Sequence, residues 1–477
     1  MAKIVIIGAG FAGHTAALYL GDAIGKKHDV TVINKYDYFL FIPSLVWVGI
    51  GHMKPEKTHF PLKPVYDKMN INFVHGKVTE IHPDEQFVLT EIDDGNKTIK
   101  LDYDYLINAT GPKLNFAATK GLGPEAGHTY SICTLNHTLQ TRQVFLEKVQ
   151  RMKKGEKVKF VIGTGHPGAT CQGAAFEYIS NIHKALLKLD IRDKADLLWL
   201  SNEPALGDFG VRGVQTKRKG KVFTSEEFAG EIFKEYQISH QIGRGVYAVD
   251  EKNIYWEDHA GNKGETSYDF GMLIPQFLGV PMKYLDKDGN DVSEKVVNKA
   301  GLTLVDGIYG LKYDDLVQNP DAWPAVYQNP NYHNIFAAGI AFAPPGPISR
   351  PHTNPNGMTI APAPPRTGMV SGIIGRIVAK NIIDLVEKGR MSHGERMTEM
   401  VAACIASMGD SLWDGGAGTI LMYPVVPDMR RFPNEMGRDL FVTHMERGLA
   451  GAWMKRLIHS TFMWKFKARI GWSIIPE

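Results

Sequence analysis

Residues 3–7, KIVII, are a short β-branched run that predicts a buried strand, and GAGFAG follows it without a break. HTAALYL then opens a helix, and DVTVIN at 29–34 predicts a second strand. Gly8, Gly10 and Gly13 therefore stand in a G-x-G-x-x-G pattern between a strand and a helix, the setting in which that pattern signals a dinucleotide site. Glycines let backbone approach a pyrophosphate, and the helix N-terminus favours its negative charge. The second strand ends in Asn34 and Lys35, where an Asp or Glu commonly binds a ribose hydroxyl. Asn34 can still donate and accept hydrogen bonds there.

The same alternation of strand, glycine turn and helix returns at 159–179, KFVIGTGHPGATCQGAAFEYI, with Gly163, Gly165 and Gly168 in the turn. Between the two units lies YDYLINATGPK, a strand ending in Ala109, Thr110 and Gly111. This stretch resembles the second signature of flavoproteins with two dinucleotide domains. NPNYHNIFAAGIA at 329–341 resembles their late strand, although Gly339 is followed by Ile340 and Ala341 rather than an Asp. The pattern predicts an α/β fold with two Rossmann-like dinucleotide-binding domains in tandem. The first is discontinuous, 1–120 with 325–400; the second occupies 121–324; a C-terminal membrane-docking and quinone-access segment, 401–477, whose tail from about 440 reads as an amphipathic helix, has a different character.

Composition narrows the class. Apolar residues make up 44% and charged residues 22%, as in a folded rather than a disordered chain, and a formal charge of +3 gives no reason to expect nucleic acid. No apolar run approaches the roughly 20 residues needed to span a bilayer, and MAKIVIIGAG reads as strand and turn, not as a cleavable signal peptide. Three cysteines, Cys133, Cys171 and Cys404, stand too far apart in sequence for a zinc or iron–sulfur spacing, so no metal is expected. Cys171 sits where the second helix starts. The dipole and free N–H groups that would hold a phosphate there also stabilise a thiolate.

Around these cysteines the chain resembles the sulfide:quinone oxidoreductases, disulfide-reductase-like flavoproteins. SICTLNH places Cys133 with His137, HPGATCQGAAFE places Cys171 with Glu177, and AACIASMGD places Cys404 in the family's three cysteine contexts. NEPALGDFG and the PPRTGM loop also match. Asp208 stands where many members carry a histidine, and Arg366 replaces the usual lysine before Thr367 and Gly368. The resemblance implies FAD, held by Gly8, Gly10, Gly13, Asn34, Lys35, Val78, Ala109, Thr110, Gly111, Gly339, Arg366, Thr367 and Gly368. It also implies that Cys171 and Cys404 meet across the flavin, with Cys133, Glu177 and His137 as further catalytic candidates. Expected partners are hydrogen sulfide, a membrane quinone, a lipid bilayer and further copies of the chain in a homo-oligomer.

Two neighbouring classes make different demands. A type II NADH:quinone dehydrogenase shares fold and quinone but needs no cysteine trio. The flavoprotein subunit of a flavocytochrome c-type sulfide dehydrogenase is exported and paired with a haem subunit. The tail LAGAWMKRLIHSTFMWKFKARIGW, plotted at helical spacing, puts Leu449, Trp453, Met454, Leu457 and Trp464 on one face and Lys455, Lys465 and Arg469 largely opposite. Phe462, Phe466 and Trp472 widen the apolar surface. That pattern predicts a helix lying in a membrane interface, peripheral and without a transmembrane span.

Overall fold

The computed structural model describes all residues except 366, 410–412 and 414. In chain order its main elements begin with strand β1 (Lys3–Ile7), helix α1 (Phe11–Ile24), β2 (Asp29–Asn34), β3 (Asn72–His75) and β4 (Tyr105–Asn108). They continue with α2 (Leu135–Lys153), β5 (Val158–Thr164), α3 (Gln172–Lys188), β6 (Ala195–Leu200), β7 (Ile238–Gln241) and β8 (Phe270–Ile274). The last part holds β9 (Ile335–Ala337), α4 (Gly368–Lys388), β10 (Ala402–Met408), β11 (Gly416–Met422), β12 (His444–Gly448) and α5 (Leu449–Phe466).

Two parallel sheets carry the molecule. The first has the order β9-β4-β1-β2-β3 and the second β7-β6-β5-β8. Ile4, Val5, Ile6 and Ile7 are all buried, which is why β1 reads as a continuous apolar run rather than an alternating one. β9 returns to the first sheet after the second is complete, pairing Ile335 with Leu106. An antiparallel sheet, β10-β11-β12, follows, and α5 packs against it. One continuous core runs from α1 and α4 through α3 to Phe466 and Trp472 at the end of the chain. Among the described residues no helix is long and apolar enough to cross a membrane.

The last segment departs from its helical plot in two respects. Trp453, Met454, Leu457 and Trp464 are exposed, as their spacing suggests, but Lys455 and Lys465 are buried. Lys465 Nζ lies 2.8 Å from Glu477 Oε1 and donates to the Ile475 carbonyl, and Lys455 Nζ lies 3.1 Å from Glu177 Oε2. Phe466 and Trp472 are buried too. The lysines face inward because carboxylates wait there, and the helix presents its apolar stripe outward.

Candidate active site

The first glycine turn is built by close backbone approach. Gly8 has φ 100°, and a Cβ there would stand 2.3 Å from the Ala109 carbonyl oxygen; at Gly13 it would stand 1.9 Å from the Gly8 carbonyl oxygen. At Gly10 it would meet nothing within 4 Å, so this side of the turn is open. Asn34 is committed to the fold: its Oδ1 accepts from Ala9 N at 2.9 Å and its Nδ2 donates to the Tyr36 carbonyl at 2.7 Å. It ties the end of β2 to the turn, leaving part of its amide for a ribose. Lys35 is exposed beside the Tyr36 ring. Thr110 donates from N and Oγ1 to Asn108 Oδ1, fixing Ala109 and Gly111 at the end of β4. Val78 is buried at a bulge in a neighbouring strand.

Two helix N-termini converge on this turn. A Cβ at Gly368 would stand 2.9 Å from the Phe11 ring, and one at Gly339 would stand 2.9 Å from Ala12 Cβ. The N-caps of α1 and α4, Gly10 and Thr367, make no side-chain capping hydrogen bond. Among the described residues Thr367 Oγ1 is buried with no hydrogen-bond partner. Uncapped first-turn N–H groups and an orphaned hydroxyl are what a ligand bearing both an anion and a hydrogen-bonding ring would satisfy. Arg366 lies outside the described residues.

The second turn is arranged for other work. Asn202, at the end of β6, donates to the Pro167 carbonyl at 2.9 Å and the Ala169 carbonyl at 3.1 Å, and accepts from Gln172 Nε2 at 3.0 Å. Gly168 N donates to His166 Nδ1 at 2.9 Å. The turn is therefore stitched by its own protein groups. Cys171 is the N-cap of α3 with φ 64°, a left-handed backbone that non-glycine residues adopt at a cost of roughly 1–3 kcal/mol and chiefly at functional sites.

Cys404 comes to the same place from β10. Its Sγ lies 3.4 Å from where a Cβ at Gly173 would stand, two residues past Cys171 on the first turn of α3. Gly173 is the residue whose missing side chain admits the sulfur. One turn further along α3, Glu177 is buried. Its Oε1 accepts from Ser407 N at 3.0 Å and from Ser407 Oγ at 2.5 Å, and its Oε2 meets Lys455. Asn181 donates to the carbonyls of Glu177 and Ser407, closing the network. Burial pushes the Cys404 thiol up to about 11; Lys455 pulls it back and Glu177 opposes that pull.

Cys404 and Glu177 are thus brought to the first turns of α3, the helix that Cys171 caps. Ser407, Asn181 and Lys455 were not expected in that group. Asn181 could have been found, four residues after Glu177 on one helix face. Lys455 could not, since 278 positions separate it from Glu177.

Cys133 and His137 sit before and in the first turn of α2, with other partners. Cys133 N donates to Ser131 Oγ, and burial raises the Cys133 thiol above its ordinary value. His137 Nε2 lies 3.4 Å from Glu125 Oε1, and its ring stands edge-on to Phe116. The stretch reaches α3 through Gly49, whose Cβ position is 3.1 Å from Tyr178 and 3.4 Å from Ile132. Asp208 is buried, accepts from the Ser349 hydroxyl and from Gly210 N, and neighbours buried Glu203.

Two parallel sheets, a returning strand and paired helix N-termini define a class. Residues 2–186 match the family described as pyridine nucleotide-disulphide oxidoreductase. The chain is 32% identical to a sulfide-quinone reductase of Aquifex aeolicus over 92% of its own length and 87% of that protein. It is 26% identical to the mitochondrial sulfide:quinone oxidoreductase of Dictyostelium discoideum over 57% of this chain and 56% of that one. The crystal structure of the sulfide:quinone oxidoreductase from Aquifex aeolicus superposes with TM-score 0.79 at 28% identity, covering 98% of this chain and 92% of that chain. The chain belongs to the sulfide-quinone reductase family. An NDH2 structure from Plasmodium falciparum in complex with NADH shares the fold alone, at TM-score 0.66 and 15% identity.

Proposed function

We propose that this protein oxidises sulfide through the Cys171–Cys404 pair and FAD and delivers two electrons to a membrane quinone. The observation that carries the reading is Cys404 Sγ against Gly173, at the helix start that Cys171 caps. In the oxidised pair the two sulfurs are joined. Hydrosulfide attacks one of them, forming a persulfide there and expelling the other as a thiolate, so the S–S bond breaks as a new one forms. The leaving sulfur should be the better thiolate. Burial disfavours ionised Cys404, whereas the N-terminus of α3 favours ionised Cys171. Cys404 is therefore the sulfur attacked, and Cys171 the thiolate released. A second hydrosulfide takes the sulfane sulfur from Cys404 as a hydrodisulfide, leaving two thiolates that give up two electrons as the Cys171–Cys404 bond re-forms, with Cys133 in reserve for longer sulfur chains.

Bound FAD would supply the two-electron carrier needed between the cysteine pair and the quinone. The chain would hold its pyrophosphate at Gly8, Gly10 and Gly13 and a polar ring edge at Thr367, where the orphaned hydroxyl and uncapped N–H groups lie. The Glu177–Ser407–Lys455 network is placed to hold or move a proton beside Cys404. The exposed stripe Trp453, Leu457 and Trp464 rests on the bilayer, so that quinone need not cross water. An absorbance spectrum under anaerobic sulfide tests the reading. Rapid bleaching of the flavin by sulfide and slow bleaching by NADH are expected; the reverse order would replace this function with that of a dehydrogenase.

A further inference from the structure

Beside the exposed stripe of α5 runs an open groove of about 530 Å³ with a different chemistry. The helix side of its lining is Arg456, His459, Ser460, Met463 and Lys467. The facing segment gives Trp47, Met53, Lys57 and His59, so apolar and cationic groups come from both sides, with Glu56 the one acid in the lining. The cations act on a common space: burial lowers the proton affinity of His459, and Lys455, Lys57 and Lys467 lower it further. Arg456 lies over the Trp47 ring at 5.7 Å and Lys467 over Phe60 at 5.3 Å, so both heads are held against aromatic faces at the groove. Ser44 Oγ holds His459 Nδ1 at 2.8 Å.

Position on the helix joins groove and stripe. Trp453, Leu457 and Trp464 follow one line, and Arg456, Ser460 and Lys467 follow the line three residues on, about 60° around the helix. An occupant of the groove would have its anionic part among the cations and its apolar part beside the exposed aromatic residues. We propose that this groove binds the phosphate headgroup of an anionic phospholipid, with the acyl chains lying along Trp453 and Leu457. The proposal rests on the membrane docking of α5 proposed above and adds a lipid preference to it. Cations close to a membrane surface favour anionic lipid, and those more than about 8 Å away are largely screened at physiological salt.

Flotation of the full-length protein with vesicles tests it, comparing phosphatidylcholine alone with phosphatidylcholine carrying phosphatidylglycerol. Wild type is expected to prefer the phosphatidylglycerol vesicles by about tenfold or more. The variant Lys57→Gln/Arg456→Gln/Lys467→Gln should lose that preference while binding phosphatidylcholine as before. Lys57→Glu alone, at an exposed position, should lose part of it and serves if the triple variant fails to fold. A charge-matched variant at exposed sites outside the groove, Lys97→Gln/Lys287→Gln/Lys299→Gln, should keep it. Equal losses in the two triple variants, or an undiminished preference for phosphatidylglycerol in the groove variant, would overturn the headgroup site. Equal binding of wild type to both vesicle types would do the same while leaving docking intact. Failure to bind either vesicle would overturn the docking itself.

Discussion

Lys455 Nζ lies 3.1 Å from Glu177 Oε2, and both side chains are buried. The other carboxylate oxygen accepts from Ser407, three residues past Cys404. The tail helix is therefore wired to the cysteine site by an ion pair whose two charges have little access to water. Removing one partner leaves the other uncompensated. Lys455→Met is expected to cost about 3–5 kcal/mol of stability, read from the urea midpoint. Lys455→Met/Glu177→Gln should recover most of that loss, and a double variant as unstable as the single one would show that packing, not charge, is at stake.

The same pair tunes Cys404. Burial pushes its thiol up to about 11, with Lys455 pulling down and Glu177 pushing up. Because the thiolate is the reactive form, alkylation of Cys404 in the reduced protein should be slow at neutral pH and climb until about pH 11. Glu177→Gln removes the opposing negative charge and should move that profile to lower pH. Peptide mapping after iodoacetamide pulses reads both. A profile that levels off near neutral pH would reverse the assignment of Cys404 as the attacked sulfur.

Cys171→Ser and Cys404→Ser should each abolish sulfide-driven flavin reduction while leaving FAD bound. A hydroxyl neither joins in a disulfide nor accepts sulfane sulfur, so either change removes the route for electrons. Cys133→Ser should be milder, since Cys133 stands apart with Ser131 as its partner. Stopped-flow absorbance separates these outcomes, and wild-type bleaching in either of the first two variants would dissolve the pair.

How much of this was readable in the chain depends on range. β1, its glycines and α1 are local, and strand, turn and helix announce themselves within 24 residues. Cys171 at the start of α3 follows from the same logic. Its meeting with Cys404 does not: no periodicity links β10 to α3, and only the family resemblance suggested it. The place of Asn34 at the end of β2 is legible in the sequence, but the hydrogen bond its Oδ1 accepts from Ala9 N is a contact made only in the fold. The tail shows the clearest limit. A helical plot sorts polar from apolar positions but does not say which side faces out. Lys455 and Lys465 turn inward only because Glu177 and Glu477 are there to meet them.

Glu203 offers a pH test away from the cysteines. It is fully buried and accepts from Phe209 N, Ser201 Oγ and Trp199 Nε1. Burial first, and then Asp208, raise its carboxyl from the ordinary 4.5 to about 8. The folded protein thus holds a proton that the unfolded chain has released. This stabilising contribution is complete below pH 4.5 and is lost as pH rises towards 8. Glu203→Gln should flatten that part of the stability profile, so its urea midpoint relative to wild type should improve from pH 5 to pH 8. A constant difference between the two proteins across that range would mean that Glu203 is already ionised at pH 5.

The outward stripe of α5 carries the last test, and it has to be made by substitution. Truncation would strip Lys455 from Glu177 and the Phe466 carbonyl from buried His14, whose Nε2 lies 2.7 Å from it. Trp453→Ser/Leu457→Ser/Trp464→Ser touches only exposed side chains, at 51%, 62% and 44% of their full accessibility. Each large apolar side chain transferred from water contributes roughly 1.5–3 kcal/mol, so even half of that across three positions is about a 40-fold change in partitioning. The variant should fold, bind FAD and bleach once with sulfide at the wild-type rate. Turnover with quinone confined to vesicles should fall in step with binding, while turnover with a water-soluble short-chain quinone should be largely kept. Full activity on vesicle quinone would place the membrane contact elsewhere on the molecule.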